Sequence, residues 1–302
     1  MKRYLYSAVA VRSTVRSTVC SVVCWVVCLT VWFTLSTAKA QDTVASPTYQ
    51  ELVDQYFKYF EAERPDSAEM ALRKALNLYP DNESNFMLRG NLSELLVARG
   101  DTIAALSELS AAITDQPTMT PLRSRRAQLY EELGQYNAAL IDLDEIIKLQ
   151  PTWEIPIYKR AGVRSKLGLH NGAIDDLERI LRLNPEAYLP RVALARELET
   201  TGDVMTAEKL LTRLTEEYPK IPNGYRALGW LLLRQDRKAD ALDRARHLIL
   251  EMKDRNKENY LLRGAVWYRY GEVKEAEKDW AEAERLGATP EEIEKAKRYE
   301  EL

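Results

Sequence analysis

Cysteine is missing from residues 41–302; all three in the chain, Cys20, Cys24 and Cys28, lie in the first forty. That excludes a disulfide scaffold, a Cys-ligated zinc site and a cysteine nucleophile from the main body. Histidine is nearly as scarce: only His170 and His247 occur, too few for a multi-His metal centre. Excess positive charge is missing too. Residues 1–40 hold five bases (Lys2, Arg3, Arg12, Arg16, Lys39) and no acid, which leaves 38 bases against 46 acids, a net −8, for residues 41–302. A nucleic-acid partner needs a basic face that displaces counterions from phosphates, so none is expected. Phosphate loops, Gly-x-Ser-x-Gly and His-Glu-x-x-His are all absent from the sequence, and nothing calls for a cofactor. Carboxylates such as Glu197 and Glu199 have no recognisable acid–base neighbour in the sequence, so a non-enzyme is expected.

Charge is absent from residues 17–37, which read as an apolar run rich in Val, Trp and Leu. Four bases precede it, and Ala38, Lys39 and Ala40 follow as a small-x-small pattern before Gln41. A basic start, an apolar stretch and such a site describe a secretory signal peptide over residues 1–40. An uncleaved signal anchor is the rival, because an uncharged run of this length also reaches across a bilayer. Val precedes each cysteine, where a lipidation signal wants a small residue. On either reading the bases stay cytoplasmic and residues 41–302 cross. The chain is therefore expected to be exported to the periplasm or cell envelope, anchored in the inner membrane on the second reading. Membrane contact is expected only if the segment stays uncut.

What the body does have is a repeat. Pro117, Pro151, Pro185 and Pro219 follow one another at 34-residue steps, and Pro80 precedes them by 37. An alanine stands twelve residues before each of the five (Ala68, Ala105, Ala139, Ala173, Ala207), and the ladder continues without proline at Ala241 and Ala276. Gly100, Gly134, Gly168, Gly202 and Gly271 lie five residues before the alanine. Coincident marks at one period signal a repeat architecture. Each unit reads as two helices. In the third unit, one covers Leu122 to Leu133 and ends at Gly134, and a second covers Ala138 to Leu149 before Pro151. Glycine takes the positive φ that follows a helix end, and proline closes the second helix. Ala139, Leu140, Leu143, Ile146 and Ile147 fall on one helical face.

The pattern resembles the tetratricopeptide repeat family. The resemblance rests on Gly134-x-Tyr136-x-x-Ala139, on Ala-x-x-x-Leu-x-x-Ile and on the closing prolines, and covers nearly all of 48–288. It implies an all-α fold: a right-handed α-solenoid of about seven helix-turn-helix repeats, after a short linker over 41–47. Asp236 replaces the turn glycine in repeat six, Pro65 lies near the turn of repeat one, and repeat two carries three extra residues. Thr289, Pro290 and Glu292 read as a capping box with proline in the first turn. A C-terminal capping helix is therefore expected within 289–302, with Ile293, Ala296 and Tyr299 over the last repeat.

Arg126, Arg160 and Arg263 each have an acid sixteen residues later (Asp142, Asp176, Asp279), and Arg89 has Glu108. These read as ion pairs tying the two helices of a repeat, in preference to a row of arginines for anionic ligands. In the family, the first helix of each repeat lines the concave surface. Carried onto this chain, that register places Tyr158, Val192, Arg196, Arg226, Trp230, Leu233, Leu261, Tyr268 and Arg269 at or near the inner face. The expected partner-binding groove comprises Tyr158, Arg196, Arg226, Trp230, Leu233, Tyr268 and Arg269. Aromatics and arginines are frequent interface hot spots. The two-carboxylate clamp of some members is not expected, because Val53 and Phe57 stand at its positions. His170 reads as a turn-packing residue. The expected function is a non-enzymatic scaffold or adaptor for a protein or peptide partner. The alternative is a structural subunit of an envelope assembly that uses its convex or terminal surfaces.

Overall fold

The computed structural model describes residues 46–299. The expected signal or anchor, most of the linker and residues 300–302 lie outside them. The described residues form fifteen α-helices and one π-helical turn, and none of them is a strand. None of these helices is long and apolar enough to cross a membrane.

The chain divides into two compact units, one ending at Leu122 and one beginning at Arg123. The first holds α1 (Tyr49–Glu61), α2 (Pro65–Leu78), α3 (Asn85–Arg99) and α4 (Thr102–Asp115). The unit boundary falls early in α5 (Thr120–Glu132). The second unit continues with α6 (Tyr136–Leu149), α7 (Glu154–Lys166), α8 (His170–Leu183), α9 (Tyr188–Thr201) and α10 (Val204–Glu217). It ends with α11 (Pro222–Arg234), α12 (Lys238–Arg246), α13 (Lys257–Tyr270), α14 (Val273–Arg285) and α15 (Pro290–Lys297).

The all-α class and the hairpin repeat are as the sequence implies. All seven ladder alanines, from Ala68 to Ala276, are fully buried. A single methyl at each lets the second helix approach its partner, where a longer side chain would overpack the contact. Glycine serves the same end elsewhere: a Cβ on Gly264 of α13 would lie 2.5 Å from Nε1 of Trp280 in α14. Helix limits differ from expectation at several ends. In repeat three, Ala139 N–H donates to the Gln135 carbonyl, so the second helix begins at Tyr136 rather than Ala138. The C-terminal helix stops at Lys297, because Tyr299 turns to φ 62°. Ile293 and Ala296 are buried as expected, while Tyr299 lies beyond the helix.

The turn between the two helices of a repeat needs a left-handed residue. The five ladder glycines supply it with φ between 70° and 96°. Asp236 takes the same role in repeat six at φ 60°, and Glu63 in repeat one at φ 53°. Asp tolerates this conformation better than most residues because its short side chain bonds locally.

Repeat six departs from the ladder in a second way. Ala241 and Ala276 are 35 residues apart, one more than the earlier step. The extra residue is absorbed where α12 widens into a π-turn over His247–Glu251. Met252 N–H then donates to the His247 carbonyl and Asp254 N–H to that of Leu248, both at 3.0 Å. Lys253 stands where the closing proline would fall and has φ 54°. Proline, fixed near −65°, has no access to that conformation.

Candidate groove on the first helices

Arg-acid rungs connect the two helices within repeats. Arg126 grips Asp142 with Nε and Nη2, both at 2.7 Å, and Arg123 adds a third contact at 3.2 Å. Arg160 holds Asp176 at 2.9 and 2.5 Å, Arg263 holds Asp279 at 2.8 and 2.6 Å, and Arg89 meets Glu108 at 2.9 Å. Asp142, Asp176 and Asp279 are buried. The carboxylate hydrogen bonds raise the pKa of Arg126 and Arg263 above the ordinary guanidinium value, so both stay charged. A planar fork meeting a carboxylate in two parallel bonds is the strong form of this contact. These arginines are thus committed to intramolecular acids, as the spacing implies. Arg160 also reaches Asp144 of the preceding repeat at 2.6 Å.

A cavity of about 250 Å³ opens in the second unit. Its walls come from the first helices of four successive repeats. α7 contributes Tyr158, α9 contributes Leu189, Val192, Ala193 and Arg196, α11 contributes Asn223, Arg226, Ala227 and Trp230, and α13 contributes Glu258. Four of the seven expected groove residues, Tyr158, Arg196, Arg226 and Trp230, therefore meet at one place.

The other three do not line it. Leu233 is 1% exposed and belongs to the core, because it lies on the face of α11 turned to its neighbours. Tyr268 packs on Trp280 with ring centres 5.5 Å apart. Arg269 donates to Asp236 at 3.0 Å and lies over the Tyr299 ring, so it joins a turn to the end of the chain. Trp230, although it forms part of the cavity wall, is itself only 1% exposed. Truncating a buried Trp costs about 3–5 kcal/mol, so its replacement would report on folding before it reported on binding.

Arg226 sits in the densest polar network of the cavity. Its Nε donates to Asn259 Oδ1 at 2.9 Å, its Nη2 to Asp254 at 3.3 Å, and its Nη1 lies 2.8 Å from Glu258 and 3.2 Å from Asn223 Oδ1. Asp254, Glu258 and Asn259 were not apparent from the sequence. The missing proline and the 35-residue step of repeat six are the sequence marks nearest to them.

The expectation that Glu197 lacks a titratable neighbour is also corrected. Glu197 is buried and lies 2.8 Å from Nδ1 of His170, linking α8 to α9. Their separation of 27 residues hid the pair. Glu199 takes two bonds of 2.6 Å from Arg234. None of these four residues lines the cavity. Among the described residues no group of three or more His, Cys, Asp or Glu side chains is arranged to hold a metal ion.

The tetratricopeptide repeat pattern matches residues 121–152 and 192–249. This chain is a tetratricopeptide repeat protein. Its fold is similar to that of a tetratricopeptide repeat protein from Parabacteroides merdae ATCC 43184, with 24% identity and a TM-score of 0.68. That match covers 83% of this chain and 98% of the other. A second similar fold is that of PilW, described as a widely conserved type IV pilus biogenesis factor, with 15% identity and a TM-score of 0.55 over 69% of this chain and 96% of the other. No curated protein matches the sequence. At these identities the likeness concerns the tetratricopeptide repeat fold alone.

Proposed function

We propose that this tetratricopeptide repeat protein is a non-enzymatic interaction scaffold of the cell envelope. It holds a peptide segment or a partner's helix along the first helices of repeats four to seven. One observation carries the reading: a single cavity draws its whole lining from four successive first helices. Tyr158 is 37% exposed and Leu189 54% exposed beside it, so apolar surface is available for a partner to cover. A preformed helical surface loses little order of its own on binding. Export and envelope location rest on the basic, apolar and Ala38-Lys39-Ala40 pattern of residues 1–40.

A second reading has an observation of its own. Ile141 on α6 and Met205 on α10 are 65% and 71% exposed on second helices. A structural subunit with permanent contacts through that side would cover them.

The test uses exposed residues of the groove, since Trp230 and Arg226 are built into the fold. The full chain and a Tyr158→Ala/Leu189→Asp/Arg196→Glu variant are compared by affinity capture from envelope extract, after circular dichroism shows equal helicity. A partner held by the first and lost by the second is the expected result. A partner held equally by both, and lost with Ile141→Asp/Met205→Asp, moves the interface to the second helices.

A further inference from the structure

Arg226 is fixed on one side and turned to the cavity on the other. Asn259, fully buried, donates its amide to both the backbone carbonyl and the carboxylate of Asp254 at 2.9 Å. Its Oδ1 is thereby aimed at Arg226 Nε, and Asp254 takes Nη2. Neither Asn259 nor Asp254 lines the cavity. Both groups that meet Nη1, Asn223 and Glu258, do line it. Nη1 is therefore the part of the guanidinium turned toward a ligand.

Glu258 is the movable partner. Its side chain is 34% exposed, against 12% for Arg226. It stands in the first turn of α13, where the helix dipole stabilises a carboxylate even without a cation. The charged residues on the cavity wall are Arg196, Arg226 and Glu258, and Asp254, behind the wall, also pairs with Arg226.

Resting on the groove reading above, we infer that Glu258 is a built-in stand-in for a ligand carboxylate. The cavity takes an anionic carboxylate carried beside an apolar group, as at an acidic position or the C-terminus of a peptide. That carboxylate displaces Glu258 from Arg226 Nη1, while Leu189, Val192 and Ala193 cover the apolar group. The exchange keeps Arg226 paired throughout, which avoids the cost of a buried unpaired charge. Glu258 moves toward solvent at the head of its helix.

The probes are N-acetyl-L-leucine and its neutral isostere N-acetyl-L-leucinamide, titrated into the full chain by calorimetry and by amide NMR shifts. The acid is expected to bind at least about tenfold more tightly than the amide, with a preference that shrinks as salt screens the charges. Glu258→Gln, an isosteric change at a partly exposed position, should tighten the acid about threefold or more and leave the amide unchanged, once circular dichroism shows parental helicity. Equal binding of the two probes with shifts at Leu189 and Ala193 would keep the groove and overturn the carboxylate preference. Acid affinity that falls or stays constant in Glu258→Gln would overturn the stand-in role. Absence of any shift at the cavity residues would overturn the inference outright, while the capture comparison above decides the groove independently.

Discussion

At the residue scale, the chain separates charges that build the fold from charges that face a cavity. Arg160 shows the first kind. Its guanidinium holds Asp176 within the repeat and Asp144 across the step to the preceding one. Removing Arg160 takes two bonds from the buried Asp176 and leaves it the one from Arg164 at 2.8 Å. Arg160→Ala should therefore destabilise by about 1.5–3 kcal/mol, read as a lower urea midpoint with unchanged slope, and leave partner capture per folded molecule unaltered. The sixteen-residue spacing made these pairs legible, because half a repeat brings positions on its two helices face to face. The network of Arg226 was not legible in the same way. Asp254, Glu258 and Asn259 reach it from a linker and a helix start, whose conformation no helical period fixes. Trp230 marks a different limit. A helix register says which face a residue is on, but the depth of burial depends on what the next helix packs there.

At the element scale, α15 closes the second unit with two interlocked devices. The Thr289 hydroxyl accepts from Glu292 N–H at 3.2 Å, and Glu292 accepts from Thr289 N–H at 2.8 Å. Lys257, at the head of α13, donates to the same carboxylate at 2.7 Å. The bond from Lys257, followed by that from the Thr289 backbone, holds the Glu292 carboxyl below the ordinary glutamate range. A folded-state pKa below the unfolded one stabilises above the unfolded value, and that contribution is lost as pH falls through the folded value. Glu292→Gln should thus be less stable than the parent at neutral pH, by no more than about 1 kcal/mol because solvent screens the pair. The difference should shrink steadily below about pH 4.5. Thermal melts of both chains between pH 3 and pH 7 would show it, and a gap independent of pH would remove the Lys257 contact as its cause. The cap was legible because a capping box is a local signal. The end of the helix was not, since it depends on the left-handed turn at Tyr299.

At the scale of the whole molecule, period and ladder disclosed the hairpin array, because each repeat buries its apolar face mainly against its neighbours. What the period concealed is the place where it breaks. Deleting Leu250, an exposed residue of the π-turn, restores the 34-residue step and lets α12 continue without the bulge. The deletion should keep its helical circular dichroism yet lose the distinction between N-acetyl-L-leucine and its amide, because Asp254 and Asn259 no longer bracket Arg226. Unchanged discrimination would detach the π-turn from the cavity. Repeats three to five share one pitch, while pairs such as Arg160–Asp144 and His170–Glu197 are particular to their joints. Repeat six is keyed. Its single added residue changes the pitch, so a repeat of ordinary length inserted between six and seven would lose the Asp254 and Asn259 bracket on Arg226.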